Sequence, residues 1–216
     1  MQEHIFLTGM ILKQLPIGEY DKHITLLTRE RGKITAFAKG ARRPVSKLAA
    51  ATNPFVFGKF KIYQGKTSYT VSDVEVVNYF EDLRMDYIGV CYGMYFAEVC
   101  DYYTRENNDE SEVLKLLYQS LRALVSDSIP NPLVRAVFEC KVIAVNGEFP
   151  GIPSDMELNP STRYALEYIV GSSIEKLFTF AVTEEVLLQL QEVAARYMKR
   201  IVGRDFKSLE VLKSLQ

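Results

Sequence analysis

The chain has 216 residues, 48% hydrophobic and 25% charged, which supports one large or two modest folded domains and excludes a disordered chain, a linker or a solenoid. No run approaches the ~18 apolar residues of a membrane span, and Met1-Gln2-Glu3-His4 lacks the basic opening of a secretory signal, so a cytosolic protein is expected. The net charge of −1 conceals a split: residues 1–80 hold 12 Lys+Arg against 6 Asp+Glu, and residues 81–216 hold 14 against 21. A basic front half is a prompt to look for a polyanion partner.

Between Ile5 and Tyr79 apolar residues alternate in short runs parted by turn residues, the pattern of a small antiparallel β-domain. Five strands are predicted at Ile5–Gln14, Tyr20–Thr28, Lys33–Lys39, Phe55–Gln64 and Ser68–Tyr79. Arg31-Gly32 and Gln64-Gly65-Lys66 supply hairpin turns, and Ser46–Ala51 is read as one helical turn between the third and fourth strands. Five strands with that break fit an OB-type barrel over residues 1–80.

From Glu81 the period becomes helical, and residues 81–216 are expected to form an α-helical domain. Leu83–Tyr103 is apolar nearly all round and reads as one buried central helix. Asp109 to Glu112 reads as a capping box, with Asp109 accepting from the Glu112 amide. Asn131-Pro132 is read as cap and first helical position of a third helix that Asn146-Gly147 ends. A Pro/Gly-rich connector at 147–162 leads to a short helix closing near Gly171. Thr183 caps a last long helix striped by Val186, Leu190, Val193, Tyr197 and Ile201.

Catalytic signatures are absent. Gly65-Lys66-Thr67 has Phe60 where a P-loop needs its first glycine, and the sequence carries no G-x-S-x-G elbow. His4 and His23 lack metal-ligand spacing, and Cys91, Cys100 and Cys140 form no C-x-x-C pair and read as buried hydrophobes. No enzyme, cofactor or metal is expected.

A binding surface is better supported. Strand parity puts Lys33, Thr35, Phe37 and Lys39 on one face of the third strand, and Phe57, Lys59, Lys61 and Tyr63 on one face of the fourth. Lysine interleaved with aromatic rings suits single-stranded nucleic acid, because cations displace phosphate counterions while rings stack on bases. The loop after the third strand adds Arg42, Arg43 and Lys47, and the preceding hairpin adds Arg29 and Arg31. Lys39, Arg42, Arg43 and Lys47 lie within nine positions holding no acidic residue. These features leave DNA, RNA and an acidic protein open as partners. A second basic stretch, Arg196, Lys199, Arg200 and Arg204 followed by Lys207, is explained by the dipole at a helix C-terminus, with a second site for DNA or an acidic peptide as the alternative.

Gly18-Glu19-Tyr20-Asp21, then Thr28, Gly32 and Lys39-Gly40-Ala41-Arg42, and at the far end Arg196-Tyr197 and Lys207-Ser208-Leu209, together resemble the RecO family of bacterial DNA repair and recombination mediators over nearly the whole chain. The resemblance implies an OB-fold domain that binds single- and double-stranded DNA, with Lys39 and Arg42 in its basic region. It also implies annealing of complementary strands, RecA loading assisted by RecR, and a helical domain that binds the acidic, hydrophobic-ended tail of single-strand DNA-binding protein. Arg196, Arg200 and Lys207 are the residues expected near that tail. A monomer associated with the nucleoid follows from the same resemblance. Many RecO-like proteins carry four zinc-binding cysteines after the third helix. This chain has neither cysteine nor histidine across 147–163, so the zinc module lacks its ligands, and turns and proline stiffening are expected to close the connector instead.

Overall fold

The computed structural model describes residues 4–215. Met1–Glu3, which begin the stretch read above for a secretory signal, and Gln216 lie outside it. Five strands, β1 (His4–Ile17), β2 (Asp21–Thr28), β3 (Gly32–Ala38), β4 (Phe57–Gln64) and β5 (Tyr69–Asn78), close into a barrel in the order β1-β2-β3-β5-β4. A short parallel β3–β5 pairing shuts the barrel, and the four-residue helix α1 (Leu48–Ala51) stands between β3 and β4. This is the expected OB-type barrel.

Alternation drives closure. Ile24, Leu26, Ile34, Ala36, Phe60, Ile62 and Val71 point inward and are all but fully buried, each large side chain contributing roughly 1.5–3 kcal/mol relative to exposure. Two glycines, Gly9 on β1 and Gly58 on β4, pair with each other, and each lies close against its other neighbour, Gly9 against Leu27 of β2 and Gly58 against Glu75 of β5. A Cβ on either would lie 2.3 or 2.4 Å from a backbone oxygen.

The chain divides into two compact units, one of Met1–Glu81 with Ala97–Leu114 and one of Asp82–Phe96 with Lys115–Gln216. The first therefore contains more than the barrel. Residues 104–108 run along the β2–β3 turn, where Lys33 N–H donates to Arg105 O (3.0 Å), Asn107 N–H donates to Arg31 O (2.9 Å), and Gly32 pairs with Glu106.

The second unit is helical: α2 (Glu81–Met85), the start of α3 (Tyr87–Tyr103), most of α4 (Ser111–Leu124), then α5 (Asn131–Val145), α6 (Pro160–Gly171), α7 (Glu184–Tyr197) and α8 (Lys207–Ser214). Its centre is aromatic, with Phe96 stacked on Phe138 at 4.2 Å and Tyr95 edge-on to Phe206 at 5.7 Å.

Several helix expectations need correction. The predicted single helix over 83–103 is two, because Asp86 interrupts it and caps the second, its Oδ1 accepting from Ile88 N–H (3.0 Å). Nor is that helix buried all round, since Met85, Tyr87, Ile88 and Met94 are exposed. At the start of α4 Asp109 accepts from Ser111 N–H (3.1 Å). Pro130 holds the cap position of α5, its carbonyl accepting from Leu133 and Val134, so Asn131 is already helical. Thr183 does cap α7, through Val186 N–H at 3.4 Å. The last helix stops at Tyr197, widens into a π-helical turn over Met198–Val202, and ends at left-handed Gly203 (φ 60°). An unforeseen α8 follows.

Candidate nucleic-acid interface

Parity places the predicted strand residues as expected. Lys33, Thr35 and Phe37 lie outward on β3 and Lys39 is exposed just past its end, and Lys59, Lys61 and Tyr63 lie outward on β4, with buried residues between them. The two rows are not on adjacent strands, however, because β5 lies between them. That strand brings Glu75 opposite Lys59 and Asp73 opposite Lys61, and Lys59 Nζ sits 5.1 Å from the centre of the Phe6 ring. Each of these two lysines therefore has an acidic residue at the paired position of the neighbouring strand.

Lys33 is committed as well. Its ammonium donates to the Asp101 carboxylate (2.9 Å) and to the Asp101 carbonyl, and Lys13 reaches the other carboxylate oxygen at 3.4 Å. Burial acts to raise the Asp101 carboxyl, but the hydrogen bonds and charges of Lys33 and Lys13 outweigh it and hold the group below the usual carboxylate range. Arg29 is exposed beside Glu30 and Asp109 in a polar cavity of about 370 Å³. Arg31 is half-buried, its backbone N–H donating to Thr28 Oγ1 at 3.0 Å.

The loop cations stand in a different setting. Gly40, at φ 66°, turns the chain out of β3, and Ala41 is buried as an anchor, so that Arg42 and Arg43 project. The Gly18–Asp21 turn clamps this loop. Gly40 N–H donates to Asp21 Oδ1 (2.7 Å), Arg42 N–H to Tyr20 O (2.8 Å), and the Arg42 guanidinium to Gly18 O (3.1 Å). Arg43 lies over the Tyr20 ring at 5.1 Å. One Asp21 carboxylate oxygen accepts from a backbone amide, while Lys39, Arg42, Arg43 and Lys47 remain exposed.

Aromatic surface adjoins this loop. His23 on β2 faces Phe37 on β3 with ring centres 5.2 Å apart, and Phe37 lies two residues before Lys39. On its other side Phe37 lines a cavity of about 310 Å³ with Tyr69 and the β4–β5 turn, Gly65-Lys66-Thr67-Ser68. Tyr20, His23, Lys66 and Tyr69 were not singled out from the sequence as site residues. Only the basic turn Gln64-Gly65-Lys66 held a signal for any of them, since pairing across strands is what brings the rings together. Strands 2 and 3 with the loops after strands 1 and 4 form the face that OB barrels use for oligonucleotides.

In the helical unit the expected tail-binding residues are dispersed in role. Arg196 is ion-paired with Asp155, Arg200 is exposed in the π-helical turn, and Lys207 opens α8. The connector is held by α7 rather than by turns and prolines alone. The Tyr197 hydroxyl donates to Gly151 O, Arg196 takes Asp155, and the Gln189 side chain accepts from Asn159 N–H (3.0 Å) and from the Thr162 hydroxyl (2.6 Å).

These residues do not fit a zinc site. Cys91 and Cys100 lie in α3 and Cys140 in α5. Burial first, then neighbouring carboxylates, pushes the Cys100 and Cys140 thiols far above the ordinary range. Among the described residues no group of three or more His, Cys, Asp or Glu is placed to hold a metal.

Fold and surface together define the class: a closed OB-type barrel with a basic, aromatic-edged loop face, followed by a helical unit. Two family descriptions match the chain, Recombination protein O N terminal over residues 1–80 and Recombination protein O C terminal over 84–152 and 152–210, the latter broken within the connector. The chain belongs to the RecO family of DNA repair proteins. It is similar to the DNA repair protein RecO of Acetivibrio thermocellus, at 31% identity over 96% of each chain. Similarity extends to that of Symbiobacterium thermophilum, 36% identical over 95% of this chain and 82% of its own, and that of Bacillus subtilis, 24% identical over 96% and 93%.

Proposed function

We propose that this protein is a non-enzymatic recombination mediator that binds single- and double-stranded DNA on its barrel and anneals complementary strands. The observation that carries the reading is the clamp between the Gly18–Asp21 turn and the Lys39–Lys47 loop. It holds Arg42 and Arg43 outward, Arg43 over the Tyr20 ring, and the His23–Phe37 ring pair lies on the strands that lead into the loop. Loop cations neutralise phosphates, rings stack on bases, and neither closes over the base edges, so a held strand stays able to pair with a second one. Annealing then follows from charge neutralisation and raised local concentration.

Family membership supports the rest of the assignment. Acting with RecR, the protein helps load RecA onto DNA coated by single-strand DNA-binding protein, in the cytoplasm at the nucleoid and as a monomer in isolation. The acidic tail of that protein meets Arg200 and Lys207, with Arg196 positioning the connector through Asp155.

Fluorescence anisotropy with a labelled ~30-nucleotide single strand over a salt series tests the reading, since the logarithmic slope counts phosphate contacts. Tight binding with a steep slope that the Arg42→Glu/Arg43→Glu variant reduces is expected. Absence of binding at low salt, or preference for an RNA competitor of the same sequence, would overturn it.

A further inference from the structure

The helical unit contains a cleft of about 560 Å³ between α6 and the start of α7, walled on one side by the segment Thr179–Thr183. That volume is typical of pockets that hold a small molecule or more than one side chain. Its walls are aromatic. Tyr164 and Tyr168 stand one turn apart on α6, and Phe180 packs edge-on to Tyr168 at 5.3 Å. The Tyr168 hydroxyl donates to Lys176 O (3.1 Å), which fixes its ring, while Tyr164 is 70% exposed at the mouth.

The charge of the cleft is one-sided. Glu185 lines it, and among the described residues no Lys, Arg or His does. One Glu185 oxygen accepts from Asn159 Nδ2 at 3.3 Å, which leaves the second to meet an incoming donor. From Glu157 to Glu192 the chain carries six acidic and two basic residues. The N-terminus of α7 opens here too and by itself would favour an anion. Thr183 already caps Val186 N–H, and the first turn carries Glu184 and Glu185, of which Glu185 lines the cleft.

Aromatic faces beside a carboxylate attract a cation with an apolar stem, and a planar guanidinium can stack flat on the rings while donating an N–H to the remaining Glu185 oxygen, which an ammonium, lacking a planar face, does not. Ala165, Val182 and Val186 supply apolar floor for a neighbouring side chain. We propose that this cleft docks an arginine side chain, with an adjacent apolar residue, from an exposed segment of a protein partner. The site is opposite in charge to the loop face of the barrel and takes no part in DNA binding.

Two-dimensional ¹⁵N–¹H NMR of the full chain, titrated with N-acetyl-Arg-Leu-amide, tests the proposal, with the norleucine and glutamate analogues as controls. Saturable shifts are expected for the arginine dipeptide at Tyr164, Tyr168, Phe180 and Glu185. Binding is expected to be weaker by about fivefold or more for norleucine, and likewise for the arginine dipeptide after Tyr164→Ala or Glu185→Gln. Both side chains are exposed, and an unchanged melting temperature verifies each fold. Should Tyr164→Ala melt early, Glu185→Gln decides alone. Equal affinity for norleucine, no saturable shift up to about 20 mM, or arginine binding that Glu185→Gln leaves intact would each overturn the proposal. DNA affinity measured on the same variants is expected to be unchanged, which separates this outcome from that of the barrel.

Discussion

The loop end and the outer wall of the barrel carry the same kinds of basic residue and use them differently. On the wall, Lys33 is consumed by Asp101, and Lys59 and Lys61 stand across from Glu75 and Asp73. At the loop end, the Asp21 carboxylate caps a backbone amide, Arg42 reaches the Gly18 carbonyl and Arg43 the Tyr20 ring, and these two with Lys39 and Lys47 stay exposed. A cation's availability to a ligand is set by what the next strand brings opposite it, and strand parity alone does not report that.

The comparison can be broken most forcefully at Gly32. Its φ of 63° is one that side-chain-bearing residues rarely adopt, and a Cβ there would lie 2.2 Å from Arg105 O. Gly32→Ala is expected to cost several kcal/mol, because the wall is built to seat residues 104–108. A denaturant midpoint close to that of the parent would show that this seat is not structural.

Next comes Arg42→Glu/Arg43→Glu. This variant should lower single-strand affinity at low salt by about 10- to 100-fold and flatten the salt slope, with an unchanged melting temperature. Retained affinity would move the interface off the loop end.

Lys33→Met should do the reverse, lowering stability by about 1 kcal/mol while leaving DNA affinity within about twofold. The pH dependence sharpens this. The folded Asp101 carboxyl lies below its unfolded value, so its contribution is fully present above the unfolded pKa and is lost as pH falls through the folded one. Acid titration of stability should therefore separate parent from variant above about pH 4, and the two should converge below it.

The smallest effect is expected from Lys59→Ala and Lys61→Ala, less than about twofold each in affinity. A loss comparable to that of the loop variant would mean that the wall, acids notwithstanding, touches DNA.

Much of the fold was open to reading, because strand alternation and glycine turns are local. The five strands came within a few residues of their true limits, and Thr183 opens its helix and Gly147 follows the end of its own as predicted. Asp86 was passed over because the apolar run on either side of it outweighed one capping residue. The tie between α7 and the connector was invisible for a different reason: Tyr197 and Gly151 are 46 positions apart.

By itself the sequence determined the barrel, the helical remainder, the absence of zinc ligands in the connector and the basic loop, since each follows from periodicity or from which residue types are present. Tertiary structure decided which cations are exposed and which aromatic rings adjoin them. Charge compensation and ring pairing act across strands, over a few ångströms in space and dozens of positions in the chain. The segment around Asp101 engages Lys33, and β5 sets carboxylates across from Lys59 and Lys61, while among the described residues no strand brings an acid opposite the loop arginines.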